Sequence, residues 1–308
     1  MRTAIPTAVS GHFSVSAQSC AKVRSHRSFV SGKRGCVARA TRDVRDVGRS
    51  SFLRLAFLSS VGVLGSGSPL TAQAAQKSIE QVLDNPKWPK DFPLKPDDFG
   101  RYDESPDTFF YDSPRLVTHI DDGAINALTK YYSEVFPESG KDDVAILDIC
   151  SSWISHYPKG YKAGKITGLG MNQEELKRNS VLTDFDVRDL NSNPELPYED
   201  NTFDVITNCV SVDYLTKPME IFAEMHRCLK PGGLAAMSFS NRCFPTKAIA
   251  VWTSTGDPEH VWIVGSYFHY SVPGGFEDPK CKDISAPKNF LGIGGGDPMY
   301  VVYARKKA

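Results

Sequence analysis

The chain has 308 residues, 41% hydrophobic and 23% charged, a balance that permits a packed core and excludes wholesale disorder. Its 36 basic and 36 acidic side chains cancel, but unevenly: residues 1–76 carry 11 Lys/Arg against Asp43 and Asp46, while residues 77–308 carry 25 basic and 34 acidic side chains. An acidic body excludes nucleic acid as the main partner, because phosphate binding requires a basic face, and no apolar run approaches the roughly 20 residues of a membrane span.

Residues 1–50 are rich in Ser, Ala, Val and Arg and nearly free of acid, the composition of an organellar transit peptide. Arg49 and Arg54, the apolar stretch Leu55–Leu64, a Gly/Ser/Pro break and Ala72-Gln73-Ala74 follow, in the order of a secretory-type signal. The tandem resembles the bipartite presequence of chloroplast proteins sent to the thylakoid lumen. The alternative is one long stromal or mitochondrial transit peptide. The expected organisation is a presequence over 1–75, an arm over 76–120 and a main domain over 121–308. The expected location is the chloroplast, with the thylakoid lumen and peripheral association with the thylakoid as its finer forms.

The arm holds six prolines between Pro86 and Pro114, interleaved with Trp88, Phe92, Phe99, Tyr102, Phe109, Phe110 and Tyr111. Proline removes donors and breaks helices, so an irregular segment docking its aromatics on the main domain is expected. From Asp121 the pattern turns helical, with Ile125, Leu128, Tyr132 and Val135 on one face, a cap at Asp121 or Asp122, and Pro137 as the stop. Short apolar runs predict strands over 144–149, 165–170, 183–190, 203–212 and 234–240. Asn172 with Glu175 three residues on has the spacing of a capping box. An amphipathic helix is predicted over 217–229, stopped by Pro231-Gly232-Gly233, and another over 246–264, broken near Gly256-Asp257-Pro258. Segments 281–285 and 299–304 read as an antiparallel pair. Strands alternating with helices predict an α/β fold with a mostly parallel sheet, whose ligands bind beyond the carboxyl ends of the strands.

Two segments, LPYEDNTFDVI (Leu196–Ile206) and FAEMHRCLKPGGL (Phe222–Leu234), lie in this order of parts. Together they resemble the class I S-adenosylmethionine (SAM)-dependent methyltransferases, the type 11 group in particular. The resemblance implies a Rossmann-like, mostly parallel seven-stranded sheet with an antiparallel C-terminal strand. It also implies SAM as cofactor, a small-molecule methyl acceptor and a site at the strand ends. The acid ending the family's first strand is matched by Asp148. The Gly-rich turn after it is not: the chain reads Cys150-Ser151-Ser152-Trp153, as in a variant branch. At the end of the second strand, where the family keeps an acid for the ribose, the chain has Gly170, then Met171 and Asn172. Asp189 matches the acid that often meets the adenine amino group. The resemblance thus nominates Asp148, Ser151, Ser152, Asn172 and Asp189 for SAM. Asn172 reads equally as a helix cap and Asp189 equally as a loop acid.

Methyl transfer asks the protein for alignment and, for some acceptors, a base. The candidates at strand ends are His156, Asp213, Tyr214, Asn241 and Arg242. In the arm, Arg115 and His119 could act from a lid, on an anion and as a base respectively. No CxxC pair and no close His spacing exists, so no metal is expected. Cys150 and Cys209 are expected to be neighbours, either as buried free thiols or as a disulfide across the pocket mouth. The competing function is a non-catalytic, methyltransferase-like binding or assembly factor at the thylakoid; an NAD-binding domain is disfavoured because no G-x-G-x-x-G follows a strand.

The presequence reading predicts a mature N-terminus near Ala74 when the protein is isolated from plastids and its terminus is read by mass spectrometry. A stromal form starting before Leu55 would remove the lumenal address and leave the plastid one.

Overall fold

In the computed structural model, residues 78–286 and 296–308 are described; the predicted presequence lies outside them. Alternation along the strands builds a seven-stranded sheet with two covered faces. The strands are β1 (Lys141–Ile149), β2 (Ala163–Gly170), β3 (Asp184–Val187), β4 (Phe203–Cys209), β5 (Leu229–Phe239), β6 (Lys280–Asp283) and β7 (Tyr300–Arg305). Their spatial order is β3-β2-β1-β4-β5-β7-β6. Strands β1 to β5 pair in parallel, and β7 runs antiparallel to both β5 and β6. The seven strands implied by the resemblance, including the antiparallel C-terminal one, are all present.

Side chains one apart on a strand face opposite sides, and the core divides accordingly. Ile146, Val205 and Ala236 join Ala124, Leu128, Tyr131 and Tyr132 on one face. Leu147, Ile206, Ala235 and Met237 join Ile221, Phe222, Met225 and a long apolar helix on the other. The helices are α1 (Asp107–Phe110), α2 (Asp122–Val135), α3 (Gln173–Arg178), α4 (Pro218–Cys228), α5 (Ala250–Thr253) and α6 (Asp257–Ser271). Helix α2 starts where Asp121 accepts the Ala124 N–H at 2.9 Å, as the cap chemistry requires.

Two expectations shift. Helix α4 ends at Cys228, and Pro231-Gly232-Gly233 lies within β5, where the pairing with β4 slips between Phe203 and Val205. The predicted helix over 246–264 is only one turn in α5, and α6 runs on to Ser271.

Helix α6 is buried without a break from His260 to Phe268, which a helix on a sheet surface manages only when something covers its outer side. The arm does so. Trp88 stacks on His269 at 4.8 Å and lies 5.3 Å from Trp262, and Phe92 packs on Tyr267 and Tyr270. Gly265 makes the approach possible, since a Cβ there would meet Leu83 Cδ2 at 2.6 Å.

Further along, the arm is held by charge. Lys247, 1% exposed, sits 3.2 Å from Asp107 and 3.2 Å from Asp103 and donates to the Ser105 carbonyl at 2.7 Å. Arg101 donates from Nη1 to both Asp107 oxygens at 2.8 and 2.7 Å, and Asn191 donates to Asp107 at 2.9 Å. Burial works to raise the Asp107 pKa, but these donors outweigh it and hold the carboxyl below its ordinary value. Among the described residues no helix is long and apolar enough to cross a membrane.

Removing one partner of a buried ion pair costs about 3–5 kcal/mol because the other charge stays buried. Asp107→Ala, which leaves Lys247 with only Asp103 and Arg101 with only the exposed Glu104, is expected to lower unfolding stability by up to about that amount in urea titration; a loss under roughly 1 kcal/mol would mean that the cluster does not hold the arm.

Candidate active site

At the carboxyl ends of β1, β2 and β4 the structure opens a cavity of about 760 Å³, within the usual range for small-molecule sites. Its floor is Asp148, 3% exposed. Ser151 Oγ and Ser155 Oγ each donate to its Oδ2 at 2.7 Å, and Thr207 Oγ1 donates to Oδ1 at 2.9 Å. Burial pushes the carboxyl up to about 6, with the three hydroxyls pulling the other way. Asn179 donates to Ser155 Oγ at 2.8 Å and to the Ser152 carbonyl at 3.0 Å. Tyr157 and Thr207 share a hydrogen bond at 2.6 Å. The loop after β1 is therefore shaped by a hydroxyl cage closed on one carboxylate.

This loop explains how a glycine-free turn fits. Cys150 takes a left-handed backbone, φ 54°, and the chain then folds over the end of β2, where Ser151 N–H donates to the Leu169 carbonyl at 2.8 Å. A Cβ on Gly170 would lie 2.1 Å from the Ser151 carbonyl oxygen. The close backbone approach is supplied by a glycine on the neighbouring strand, and no side chain, acidic or otherwise, fits at 170. The missing turn glycines and the missing strand-end acid are thus one linked change.

Asp148, Ser151, Ser152, Asn172 and Asp189 all line the cavity, as do His119, His156, Tyr214, Asn241 and Arg242. Their hydrogen bonds modify the roles read from sequence. The resemblance nominates Ser151 and Ser152 for SAM, yet both hydroxyls donate to protein carboxylates, Ser152 to Glu175 at 2.6 Å. Asn172 caps α3 by accepting from the Glu174 and Glu175 N–H groups, and its amide donates to the Tyr111 carbonyl at 2.9 Å. Both of its functional groups are engaged within the protein. Asp189 accepts from Ser192 Oγ at 2.6 Å and from the Asn191 N–H, a loop-closing pattern at the cavity edge. Asp213, 2% exposed, is absent from the lining; burial pushes it up to about 8 and leaves its Oδ2 without a partner. Tyr214 Oη accepts the Phe244 N–H at 2.8 Å, and Arg242 is exposed, 3.7 Å from Asp297.

Burial lowers both cavity histidines. His156 falls to about 4, with His119 adding to the effect; at His119, Glu175 opposes burial and Arg115 reinforces it. Both imidazoles are neutral at pH 7. Each has a left-handed backbone, φ 63° at His119 and 56° at His156, an uncommon conformation for a bulky residue. Cys150 and Cys209 follow the paired residues Ile149 and Asn208, which makes them neighbours, and both are free thiols pushed up to about 12 by burial.

Glu175 is the main residue the sequence reading misplaced. The expected capping box would turn its carboxylate back onto the cap backbone. Instead Glu175 accepts the Arg115 backbone N–H at 2.6 Å with one oxygen and Ser152 with the other, joining lid, loop and helix. Thr207 and Ser155 gave no sequence signal, since hydroxyls on a strand and in a loop are commonplace.

Residues 149–237 match the family model described as a methyltransferase domain. Over that stretch the chain resembles a methyltransferase domain. The domain is similar to a demethylmenaquinone methyltransferase of Listeria monocytogenes, at 28% identity over 137 residues, covering 42% of this chain and 53% of the relative. It is also similar to the ubiquinone/menaquinone biosynthesis C-methyltransferase UbiE of Escherichia fergusonii, at 30% identity over 119 residues, covering 38% of this chain and 40% of the relative. The chain thus spans about half or less of the length of these curated relatives. Among solved structures, the [4+2]-cyclase SpnF matches with a TM-score of 0.44 at 18% identity, covering 64% of this chain and 90% of that one. Phosphoethanolamine N-methyltransferase 2 of Haemonchus contortus, in complex with SAM, matches at 0.40 and 12%, covering 59% and 52%. The matched residues include both segments that carried the resemblance, Leu196–Ile206 and Phe222–Leu234.

Two outcomes test this geometry. Gly170→Ala is expected to destabilise by roughly 1–3 kcal/mol, as overpacking does, because the Ser151 backbone must move; a neutral substitution in urea unfolding would contradict the close approach. A buried acid with a raised pKa binds more protons folded than unfolded, so its contribution to stability is present at low pH and is lost as pH rises from about 4 through about 6. Asp148→Asn should remove that fall, worth up to about 3 kcal/mol, when stability is compared at pH 4 and pH 7.

Proposed function

We propose that the protein is a SAM-dependent methyltransferase acting on a small organic molecule in the plastid, and that SAM lies over the ends of β1 and β2. The observation that carries the reading is the buried Asp148 carboxylate on the cavity floor of a methyltransferase domain. Its cage of hydroxyl donors leaves it an anion at neutral pH, suited to a cationic ligand. The donor chemistry fits SAM at its sulfonium and ammonium end, where Asp148, Glu175 and the lone pairs of Ser151 and Ser152 supply negative potential. Asp189 at the cavity edge is the candidate for the adenine. The ribose has no acid at position 170.

When bound, SAM supplies a methyl group already activated as a leaving-group sulfonium. The chain's own residues align the acceptor and exclude water. The lid, residues 111–121, closes one side of the cavity with Tyr111, Arg115, Val117 and His119. His119, neutral at pH 7, is able to accept a proton from an acceptor hydroxyl or acidic carbon. The relatives' names, which specify methylation in quinone biosynthesis, support an organic acceptor. The presequence over residues 1–75 supports the plastid, with the lumen and the thylakoid surface as finer assignments.

One observation favours a second reading, a non-catalytic binding or assembly factor: the Ser151 backbone stands where the family keeps its sugar-binding acid.

Calorimetric titration of the purified protein with SAM separates the two. Binding is expected, and Asp148→Ala should weaken it about ten- to a hundredfold, the loss of one or two units of a charged hydrogen bond. Affinity should fall as pH drops through about 6, where Asp148 takes up its proton. Absence of heat and of thermal shift at millimolar SAM would favour the binding factor.

A further inference from the structure

The cavity is electrically divided. Asp148, Glu175 and Asp189, with Arg188 beside them, lie at the strand-end side, and Arg115 stands in the wall contributed by the lid, which ends at Asp121. Arg115 differs from the cations of the ion-pair clusters. Arg101 and Lys247 share Asp107, and Arg227 holds Glu224 and Asp200. The Arg115 guanidinium has no carboxylate within 4 Å among the described residues. Its Nη2 donates only to the Phe110 carbonyl, at 3.2 Å, and its Nε is buried without an acceptor. The nearby Glu175 spends its oxygens on the Arg115 backbone N–H and on Ser152 Oγ.

The guanidinium is nevertheless fixed in place. It lies 4.1 Å from the Phe110 ring centroid and 5.3 Å from that of Phe244, and cation–π contact orients a cation without neutralising it. A half-buried guanidinium lacking a counter-ion retains most of its capacity for a planar anion, which it grips through paired N–H donors. The surrounding wall is apolar, with Val117, Ile120, Phe244 and Leu215.

We propose that Arg115 is the anchor for an anionic acceptor: a small organic carboxylate or phosphate whose body packs on Phe244 and the apolar wall. The proposal rests on the reading of this cavity as a methyltransferase site, and it names the charge class of the acceptor. The two ends of the cavity then sort the two ligands by sign, cation over Asp148 and anion at Arg115. His119, whose ring meets Phe244 at 5.5 Å, stands beside the anchored molecule.

The test uses benzoate, phenyl phosphate and neutral benzamide as probes, added to the full chain without SAM and followed by calorimetry and by the Nε–H NMR signal of Arg115. Benzoate or phenyl phosphate is expected to bind and to move that signal, with benzamide at least about tenfold weaker, the ratio for one charge-assisted hydrogen bond. The better of the two anions distinguishes a carboxylate from a phosphate. Arg115→Gln should abolish the preference for the anion, and Arg115→Lys should retain part of it; the lysine variant keeps the charge if the glutamine variant fails to fold. Equal binding of benzoate and benzamide by wild-type protein, or an unchanged anion preference in both variants, would overturn the proposal. Because SAM is omitted, failure of SAM to bind would refute the enzyme reading without mimicking either result.

Discussion

The Asp148 carboxylate is the point from which the cavity is built. It lies buried near the end of β1 and is held by the hydroxyls of Ser151, Ser155 and Thr207. A carboxylate in such a place is tolerable only when its lone pairs are met. Meeting them fixes the loop: two of the three donors come from residues 151–155, so the chain after β1 must curl back on its own aspartate. That curl sets Cys150 in the left-handed region and seats the Ser151 carbonyl against Gly170. The rest of the turn follows from one electrostatic demand.

The same demand orders the second layer. Asn179, behind Ser155 and Ser152, ties the loop to the segment following α3. Glu175 ties it to the lid by accepting the Arg115 N–H and the Ser152 hydroxyl. Asn172 ties α3 to Tyr111. In each case a polar side chain that would ordinarily be free for a ligand is used to join two segments of the wall. The arrangement exchanges some ligand-facing hydrogen bonds for rigidity, and preorganised walls lower the cost of ordering on binding.

Much of this fold is legible in the sequence because it rests on local periodicity. The strands expected over 144–149 and 203–212 are short apolar runs, and the helices from Asp122 and Pro218 carry a repeating apolar pattern with a cap or a proline at the start. The β5 start and the extent of α6 were not legible. Pro231-Gly232-Gly233 has the composition of a stop and the helix ends before it, but β5 already starts at Leu229, which pairs with Phe203 ahead of the irregularity that holds these three residues. Helix α6 gains its length from the arm laid across it, a contact far apart in sequence. At the site, Asp148 and the cavity-lining positions were legible from their place at strand ends. The hydrogen-bond partners were not, because a serine that donates to an acid and a serine that awaits a carboxylate look identical in sequence. Glu175 shows the same limit: its spacing from Asn172 fits a capping box, and only the position of the lid reveals where its carboxylate goes.

The arm therefore belongs to the site rather than to its surroundings. Asp107 lies at the cavity edge and simultaneously neutralises Arg101 from the arm and Lys247 from the segment after β5. Trp88 and Phe92 fasten the arm's first half to α6, and this charge cluster fastens its second half just before the lid begins. Residues 111–121 are consequently held at both ends, by the cluster on one side and by Asp121 on the other, whose carboxylate accepts from Ala124 and Asp297. Its middle is tied as well, because Glu175 accepts the Arg115 N–H and Trp153 Nε1 donates to the Val117 carbonyl at 2.9 Å. Arg115 and His119 are thus presented to the cavity from a segment fixed at several points, as Asp148 is presented from a strand end.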